Sequence, residues 1–279
     1  MFLPFKAVRN GGFAFVAARL LLVLLAFSFL PGCSTVPYTG RSQLMLLEPA
    51  EEMSLGLNAA REVRETEKIE TGTRRSRLVQ SVGKRIAEAA ERPDFEWEFH
   101  TVVKEDVNAF CLPGGRVFFY TGILQLTGNN ENEIAAIMGH EVAHALARHG
   151  AEKVSVAQMT AVGQVALDAA LILATGVSLE ETGGDSLFGL LANVGVLLPH
   201  SRVQESEADH IGLLLTAKAG YDPRAAITFW QKMQELNGDG GFGFLSTHPL
   251  TADRIASIEK DLPQALLLYE EAKKRRGKK

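Results

Sequence analysis

The sequence predicts an α+β fold that is predominantly α-helical, with one small β-sheet. Apolar residues recur at helical spacing over most of the 279 residues. Only the region around residues 97–122 shows the apolar–polar alternation and the turn residues that are typical of strands. Without the first 32 residues, which read as a leader segment, 247 residues remain, and these are enough for one substantial core.

Seven helices are expected, and the small sheet lies between the second and the third. In the third, Asn130 is a suitable N-cap residue and Glu133 has the spacing of its reciprocal partner. An apolar stripe follows at helical spacing, formed by Ile134, Ile137, Met138 and Val142. Gly139 in this helix would let a neighbouring segment approach closely. The expected ranges are Pro49–Glu67, Arg74–Ala90, Asn130–Arg148, Glu152–Ala174, Val203–Ala219, Arg224–Glu235 and Leu250–Asp261.

The sheet is predicted from two neighbouring stretches. In the first, alternate positions are occupied by Trp97, Phe99, Thr101 and Val103. Residues 108–122 read as strand, turn and strand, because apolar residues flank Pro113-Gly114-Gly115. An edge strand here could hold an extended substrate by backbone pairing through Asn108, Ala109 and Phe110. The alternative is that the same hairpin only belongs to the core.

Residues 154–198 are rich in Ala, Leu, Val and Gly, and they are broken at Gly183-Gly184-Asp185. Neither half offers about 18 apolar residues without a polar interruption, so we interpret them as soluble helices and not as membrane spans. A lid or plug over a cleft is the alternative role for this stretch.

The run His140-Glu141-Val142-Ala143-His144 predicts a metal site. Two imidazoles four residues apart on a helix face the same way and can bind one metal ion, with Glu141 placed to act on a water at the metal. Two histidines leave a Zn²⁺ shell incomplete, so a third protein ligand is required. The alternative is a chance match on a surface helix with both imidazoles solvated. His149 is one place early for the longer metzincin motif and is expected to point to another side of the helix.

Six residues are candidates for the third ligand: His200, Glu205, Glu207, Asp209, His210 and His248. Glu205 and Asp209 share one face of the helix predicted at 203–219, whereas Glu207 points away. Gly212 on that face would permit close approach of another helix. Two carboxylates on a packing face need a positive partner, so we interpret Glu205 as the ligand and Asp209 as an outer-shell residue or an aid to proton transfer. The alternative is an acidic first turn that favours the helix dipole, which is our interpretation of Glu207.

Three stretches together resemble a known family of zinc metallopeptidases. HEVAHALARHG, SRVQESEAD and STHPLTADRI are similar to the signature stretches of its HtpX and BepA branch. This gluzincin family also includes the CAAX prenyl proteases and the mitochondrial inner-membrane stress protease. The similarity runs from about Gly40 to Leu262, and it implies a zincin-like metallopeptidase domain that cleaves peptide amides.

The resemblance also implies roles for individual residues. It implies one zinc per chain, bound by His140, His144 and Glu205. Glu141 would then be the general base, and Asp209 a proton donor or an outer-shell residue. These assignments agree with the interpretation of the residues themselves.

His248 lies in Ser246-Thr247-His248-Pro249, which is similar to the family's T-H-P element. The histidine of that element lies close to the zinc and holds some members latent, so the resemblance implies a regulatory zinc contact for His248. From the residues alone, the alternative is a loop that starts the helix near Leu250. The two interpretations are compatible.

The N-terminus predicts an exported lipoprotein. Three basic residues precede the apolar run Leu20–Leu30, which is too short to span a membrane comfortably and is typical of a signal-peptide core. The run ends in Leu30-Pro31-Gly32-Cys33, which resembles a bacterial lipobox, although Pro31 departs from its usual small or β-branched residue. Lipidation of Cys33 would tether the domain to a membrane. By the same resemblance, Ser34 favours the inner face of the outer membrane. An ordinary secretory signal and an uncleaved anchor are the alternatives.

Four domains are expected from these boundaries: a signal peptide at 1–32, an N-terminal tether at 33–48, a zinc metallopeptidase domain at 49–262, and a C-terminal helix with a basic tail at 263–279. After the leader, 26 basic and 33 acidic residues remain, and the resulting net charge of −7 argues against a nucleic-acid partner. Cys111 is then the only cysteine besides Cys33, so no intrachain disulfide is expected if Cys33 is lipidated.

The sequence therefore predicts a periplasmic, lipid-anchored endopeptidase for protein quality control. Its expected partners are unfolded or misassembled envelope polypeptides, the membrane at Cys33, and the outer-membrane assembly machinery. The competing interpretation is a non-proteolytic chaperone for outer-membrane proteins with a latent zinc site, which His248 as a fourth ligand would favour. A small-molecule metallohydrolase is less favoured, because the hairpin offers strand pairing and no obvious polar pocket residues.

Overall fold

The computed structural model describes residues 33–161, 199–236, 243–251 and 253–277. The chain divides after Cys33 into two units, and every element from the second strand onward lies in the unit Ser34–Lys279. The expected signal peptide and residues 162–198 of the apolar stretch lie outside the described residues. The interpretations of a leader, of soluble helices there and of a lid therefore stay predictions.

Two small sheets are present in the described ranges. β1 (Cys33–Thr35) and β2 (Ser42–Leu44) form a two-stranded sheet. The four-stranded sheet has the order β3-β4-β6-β5 and consists of β3 (Ile69–Glu70), β4 (Glu98–Val102), β5 (Ala109–Leu112) and β6 (Arg116–Tyr120). β4 is parallel to β6, and the other pairs are antiparallel. β5 is consequently an edge strand, paired with β6 from Ala109↔Phe119 to Leu112↔Arg116.

The helices of the described ranges account for most of the fold. They are α1 (Pro49–Thr66), α2 (Arg74–Ala90), α3 (Thr121–Leu126), α4 (Glu131–Leu146), α5 (the described helical residues 149–161), α6 (Arg202–Lys218), α7 (Ala225–Leu236), α8 (Gly243–Thr247) and α9 (Arg254–Arg276). The predicted mainly helical α+β fold with a small sheet is confirmed. Strands β4, β5 and β6 lie between the second and third predicted helices as expected, whereas β3 precedes the second helix and the sheet of β1 and β2 was not predicted. Among the helices of the described part, none is both long and apolar enough to cross a membrane.

The crossing of α4 and α6 positions the candidate site. A Cβ atom on Gly212 would lie 2.7 Å from the His140 backbone nitrogen, and one on Gly139 would lie 2.7 Å from the Gly212 carbonyl oxygen. The two backbones can approach this closely only because neither position carries a side chain. The expected close approach at Gly139 and Gly212 is confirmed. The apolar stripe of α4 is buried in the main core, as expected for Ile134, Ile137, Met138 and Val142.

The reciprocal cap predicted at the start of α4 is wrong. Asn130 does cap the helix, because its Oδ1 accepts hydrogen bonds from the backbone nitrogens of Asn132 and Glu133 at 2.9 and 3.2 Å. The Glu133 carboxylate does not reach back to Asn130. Instead, Lys232 Nζ on α7 donates to both Glu133 oxygens at 2.8 Å. A charged tertiary partner thus replaces the local one.

The last helix begins later and continues further than predicted. α9 starts at Arg254 instead of near Leu250, and it runs through Pro263 to Arg276. Its buried residues Ile258, Ala265 and Ala272 are spaced by two helical turns, so the face that packs continues past the proline. This packing outweighs the backbone hydrogen bond that Pro263 cannot donate. One helix therefore crosses the predicted domain boundary at 262/263, and the domain division itself stays a prediction.

Candidate metal centre

Four buried side chains from three parts of the chain meet at one point. α4 contributes His140 and His144, α6 contributes Glu205, and His248 directly follows α8. One donor atom of each lies within 4.8 Å of the others. His144 Nε2 is 3.1 Å from His140 Nε2, and Glu205 Oε1 is 3.4 Å from His144 Nε2 and 3.0 Å from His248 Nδ1. Three imidazoles and a carboxylate are donors that Zn²⁺ prefers.

The local sequence explains why these donors converge. His140 and His144 are one helical turn apart, and their ring centroids are 4.7 Å apart. On α6, Glu205, Asp209 and Gly212 follow one another at helical spacing on the face that packs against α4. The glycine contact brings this face close enough for Glu205 to reach the two imidazoles.

Glu141 lies beside the four donors and is almost fully buried. Its Oε1 is 3.4 Å from His248 Nε2 and has no hydrogen-bond partner within the described ranges. Burial raises the pKa of the Glu141 carboxyl, and the nearby His248 and His140 only partly oppose this shift. A carboxylate with a raised pKa and a free oxygen is suited to accept a proton.

Asp209 lies behind His140 and not at the point where the donors meet. Asp209 Oδ1 is 3.0 Å from His140 Nδ1, and the Arg254 guanidinium donates to both Asp209 oxygens at 2.6 and 2.9 Å. Burial would raise the pKa of Asp209, but the charge of Arg254 and the bond with His140 outweigh it and lower the pKa. An ionised carboxylate with both oxygens engaged is suited to orienting His140.

Arg254 is a site residue that sequence reasoning missed. Its Nη1 is 2.6 Å from Glu205 Oε2, and its guanidinium stacks 3.5 Å from the centre of the Trp230 ring. The two buried carboxylates of α6 did signal a positive partner, but we assigned that role to zinc alone. Arg254 supplies a second positive charge from α9, a helix far away in the sequence.

A cavity of about 570 Å³ opens onto the cluster. Glu141, His144, His200 and His248 line one part of it, and residues 108–113 line another. The latter include all of β5, which has a strand partner on one side only in the described ranges. The predicted substrate strand therefore shares one cavity with His144, one of the three predicted metal ligands.

Comparison with known proteins identifies the family. A sequence profile of peptidase family M48 matches residues 73–262, which is more than half of the chain and includes every donor of the cluster. The chain belongs to peptidase family M48. The expected membership of a gluzincin metallopeptidase family is thus confirmed.

Several curated proteins are similar to most of this chain. The mitochondrial metalloendopeptidase OMA1 of Schizosaccharomyces pombe is 41% identical over 189 residues, 67% of this chain and 53% of its own length. The mitochondrial metalloendopeptidase OMA1 of Bos taurus is 33% identical over 263 residues, which is 90% of this chain and 49% of the relative. The β-barrel assembly-enhancing protease of Escherichia coli (strain K12) is 26% identical over 256 residues, covering 90% and 52%.

These relatives refine the predicted resemblance. The chain spans about half the length of the curated relatives it matches. Similarity to the β-barrel assembly-enhancing protease supports the expected BepA-like branch in part, but both OMA1 proteins have the higher identity.

His149 contacts the donor cluster from behind His144, and the sequence interpretation missed this contact. His149 is fully buried, and its Nδ1 lies 2.9 Å from Nδ1 of His144. We expected it to point away because we extended one helix to Arg148. α4 ends at Leu146 instead, and Arg148 has a left-handed φ of 59°, which turns the chain so that His149 faces His144.

The interpretation of Glu207 as a helix-dipole residue is wrong. Glu207 lies beyond the first turn of α6, and its carboxylate is buried. His149 Nε2 is 2.9 Å from Glu207 Oε2, and Arg41 Nε donates to the same oxygen at 2.8 Å. The two-residue offset from Glu205 takes Glu207 around the helix to His149, so it points away from the four donors as predicted but still belongs to their surroundings.

The two remaining candidates for the third ligand differ in position. The His200 ring lies 3.9 Å from the His144 ring, its Nε2 is 3.4 Å from Lys153 Nζ, and burial lowers its pKa. His200 therefore lines the cavity beside the donor cluster as a neutral imidazole. His210 faces away, and its Nδ1 is 2.7 Å from Asp261 Oδ2 near the surface.

Proposed function

We propose that this chain is a zinc-dependent endopeptidase of the periplasm that hydrolyses peptide bonds in misfolded or unassembled envelope proteins. The observation that carries this proposal is the convergence of His140, His144 and Glu205 beside a cavity that His144, Glu141 and the edge strand β5 line. Membership of family M48 supports the reaction class.

The donors fit one zinc ion. His140, His144 and Glu205 would hold it, a His₂Glu set that is typical of catalytic zinc in peptidases. Glu205 is suited to this role, because its neighbours His248, His140 and Arg254 lower its pKa despite burial and keep it ionised. Zinc, when bound, supplies a Lewis acid that activates water and polarises the scissile carbonyl.

Glu141 acts as the general base. Its unpartnered Oε1 takes a proton from the attacking water and passes it to the nitrogen of the leaving amine. The charge of the carboxylate is not neutralised by a direct ion pair with arginine or lysine in the described ranges, so the oxygen stays available. Asp209 contributes by holding the Nδ1 side of His140, with Arg254 fixing the carboxylate.

The substrate would bind as an added strand along β5. Asn108, Ala109 and Phe110 line the cavity at the start of this strand, and its outer edge has no strand partner in the described part of the chain. Pairing through backbone groups gives affinity with little demand on side chains. This mode suits an enzyme that acts on many unfolded polypeptides, which extend readily, and disfavours compact native proteins.

Location and partners follow from the N-terminus and one relative. We infer export and lipidation at Cys33 from the lipobox-like Leu30–Cys33, with the domain at the inner face of the outer membrane. The Escherichia coli relative is named for β-barrel assembly, which supports outer-membrane assembly machinery as a partner. The OMA1 relatives are mitochondrial, so the proposed compartment rests on the N-terminal residues of this chain.

A second candidate function is a non-proteolytic assembly factor with a latent zinc site. The observation that favours it is the position of His248, whose Nδ1 is 3.3 Å from His140 Nε2 and 3.0 Å from Glu205 Oε1. A fourth protein donor at that point would close the shell that a catalytic zinc keeps open. The proposed enzyme then requires His248 to move, and the assembly factor does not.

Zinc content and proteolysis of the full-length chain test the proposal. We expect one zinc per chain, cleavage of unfolded porin or casein, and loss of cleavage in Glu141→Gln with zinc retained. Glu131→Gln, at an exposed position on the same helix, is the matched control and should cleave normally. Substantial cleavage by Glu141→Gln would contradict the assignment of the base. Substrate binding without cleavage by wild type and by His248→Ala would favour the assembly factor.

A further inference from the structure

We propose that His149 and Glu207 are positioning residues for the metal ligand His144, and that Arg41 from the N-terminal segment holds them in place. The inference rests on the zinc site of the proposed function. It deepens that function, because it assigns roles to three residues outside the ligand set and connects the predicted tether to the metal centre.

The contacts form one continuous chain through the protein. His144 Nε2 faces the shared centre, and its other ring nitrogen, Nδ1, lies 2.9 Å from His149 Nδ1. His149 Nε2 lies 2.9 Å from Glu207 Oε2. Arg41 Nε donates to that oxygen at 2.8 Å, and the Thr39 hydroxyl donates to the other oxygen of Glu207.

With a metal at His144 Nε2, only one arrangement of protons would satisfy every contact in this chain. The metal would use the lone pair of that atom, so the neutral ring would carry its proton on Nδ1. His144 then donates to His149 Nδ1, which must be an acceptor. His149 consequently carries its proton on Nε2 and donates to the Glu207 carboxylate. Each donor therefore meets an acceptor, and His144 is fixed in the tautomer and rotation that present Nε2 to the metal.

The other histidine ligand has a parallel but shorter chain. His140 Nδ1 contacts Asp209 directly, and Arg254 holds that carboxylate. In both chains a carboxylate of α6 supports a ligand of α4, and an arginine from a distant element holds the carboxylate. The second chain contains one extra imidazole because Glu207 points to the side of α6 and cannot reach His144 itself.

Arg41 connects this chain to the N-terminal segment. Its Nη1 and Nη2 donate to the two oxygens of Glu152 at 2.7 Å each, while Nε donates to Glu207. Glu152 also accepts a hydrogen bond of 2.8 Å from Gln204 Nε2 on α6. One guanidinium therefore joins α5, α6 and the residues that follow Cys33, a geometry that is bidentate and pre-organised.

The test compares zinc affinity and the cobalt spectrum among variants of the full-length chain. His149→Leu removes the acceptor, whereas His149→Asn keeps an acceptor oxygen near the position of Nδ1. Arg41→Met removes the outer clamp at a partly exposed position, so the variant is expected to fold. His210→Leu, which breaks a His–Asp pair elsewhere on α6, and Arg64→Met, which breaks an ion pair with Glu98, are the matched controls.

We expect zinc affinity, from competition with a chromophoric chelator, to fall on the order of tenfold to a hundredfold in His149→Leu. The absorption bands of the Co²⁺-substituted protein should shift in the same variant, because the donor strength of His144 changes. His149→Asn should recover most of the affinity, Arg41→Met should show a smaller loss, and both controls should match wild type.

Three results would overturn the inference. Unchanged affinity and spectrum in His149→Leu and in Arg41→Met would show that the chain does not support His144. Equal losses in His149→Asn and His149→Leu would show that only the ring volume matters. Wild type that takes up no zinc would contradict the proposed function and this inference with it, whereas the first two results leave the proposed function standing.

Discussion

Substituting Gly212 with alanine should weaken the metal centre more than it weakens the fold. The new Cβ atom would lie 2.7 to 2.8 Å from backbone atoms of Gly139 and His140. These backbone atoms cannot relieve the clash by a change of rotamer, as the end of a flexible side chain can. α4 and α6 must therefore separate by roughly 0.8 Å to reach an ordinary carbon contact of about 3.5 Å.

The separation acts directly on the ligand set, because α4 carries His140 and α6 carries Glu205. Distances in a well-formed metal site vary by only about 0.2 Å, so a shift of this size strains the zinc bonds. Overpacking lowers the free energy of unfolding by about 1 to 3 kcal/mol. Replacing a glycine inside a helix with alanine raises it by about 0.5 to 1 kcal/mol. If about 1.4 kcal/mol of strain falls on the zinc-bound state, zinc affinity falls about tenfold.

Chelator competition for zinc and thermal unfolding of the metal-free protein check this prediction. Gly277→Ala is the matched control, since its Cβ atom would meet only the Lys273 carbonyl oxygen at 3.7 Å. Gly212→Ala should bind zinc about tenfold more weakly and unfold a few degrees lower, with a net loss of about 1 kcal/mol. Wild-type affinity in a folded Gly212→Ala protein would refute the reasoning that this glycine pair sets the ligand distances.

Three other predictions concern single side chains. His248→Ala should fold and cleave unfolded casein faster than wild type, because the imidazole that could close the zinc site, near Glu205 and Glu141, is removed. Equal rates on every unfolded substrate would count against a gating role for His248. Arg254→Met should destabilise the metal-free protein by about 3 to 5 kcal/mol, since it leaves buried carboxylates unpaired, and added zinc should reduce this loss in urea unfolding. Burial raises the pKa of Glu207, but bonds from His149, Thr39 and Arg41 outweigh it and lower the pKa to about 2. Glu207 thus stabilises the fold above its unfolded pKa of 4.5, and this contribution disappears as the pH falls from there toward 2. Thermal unfolding of metal-free Glu207→Gln should show a weaker acid dependence over that range, and an unchanged slope would exclude this assignment.

Local sequence patterns predicted the helices of the site well. The apolar stripe from Ile134 to Val142 follows an N-cap at Asn130, so the hydrophobic periodicity and the N-cap both predict helix α4. The carboxylate spacing of α6 likewise indicated that Glu205 and Asp209 face one partner. Both features depend on residues within a few turns of each other, which is the range over which a sequence pattern is informative.

The surroundings of the ligands could not be predicted in the same way. Arg41 lies more than a hundred residues from the carboxylates it binds, and Arg254 more than forty, and nothing local predicts that either arginine binds them. His149 was misplaced because one left-handed residue, Arg148, redirects the chain. Glu133 was assigned a local partner, whereas Lys232 of α7 binds it. Contacts between elements distant in the sequence therefore place Arg41, Arg254 and Glu133, and a single backbone turn places His149.

The zinc site is tested most directly by a crystal structure of the full-length chain measured at the zinc absorption edge. We expect one anomalous peak per chain, about 2.0 to 2.2 Å from Nε2 of His140, Nε2 of His144 and a Glu205 oxygen. No peak at that point in crystals grown with zinc, or a peak bound by other residues, would contradict it.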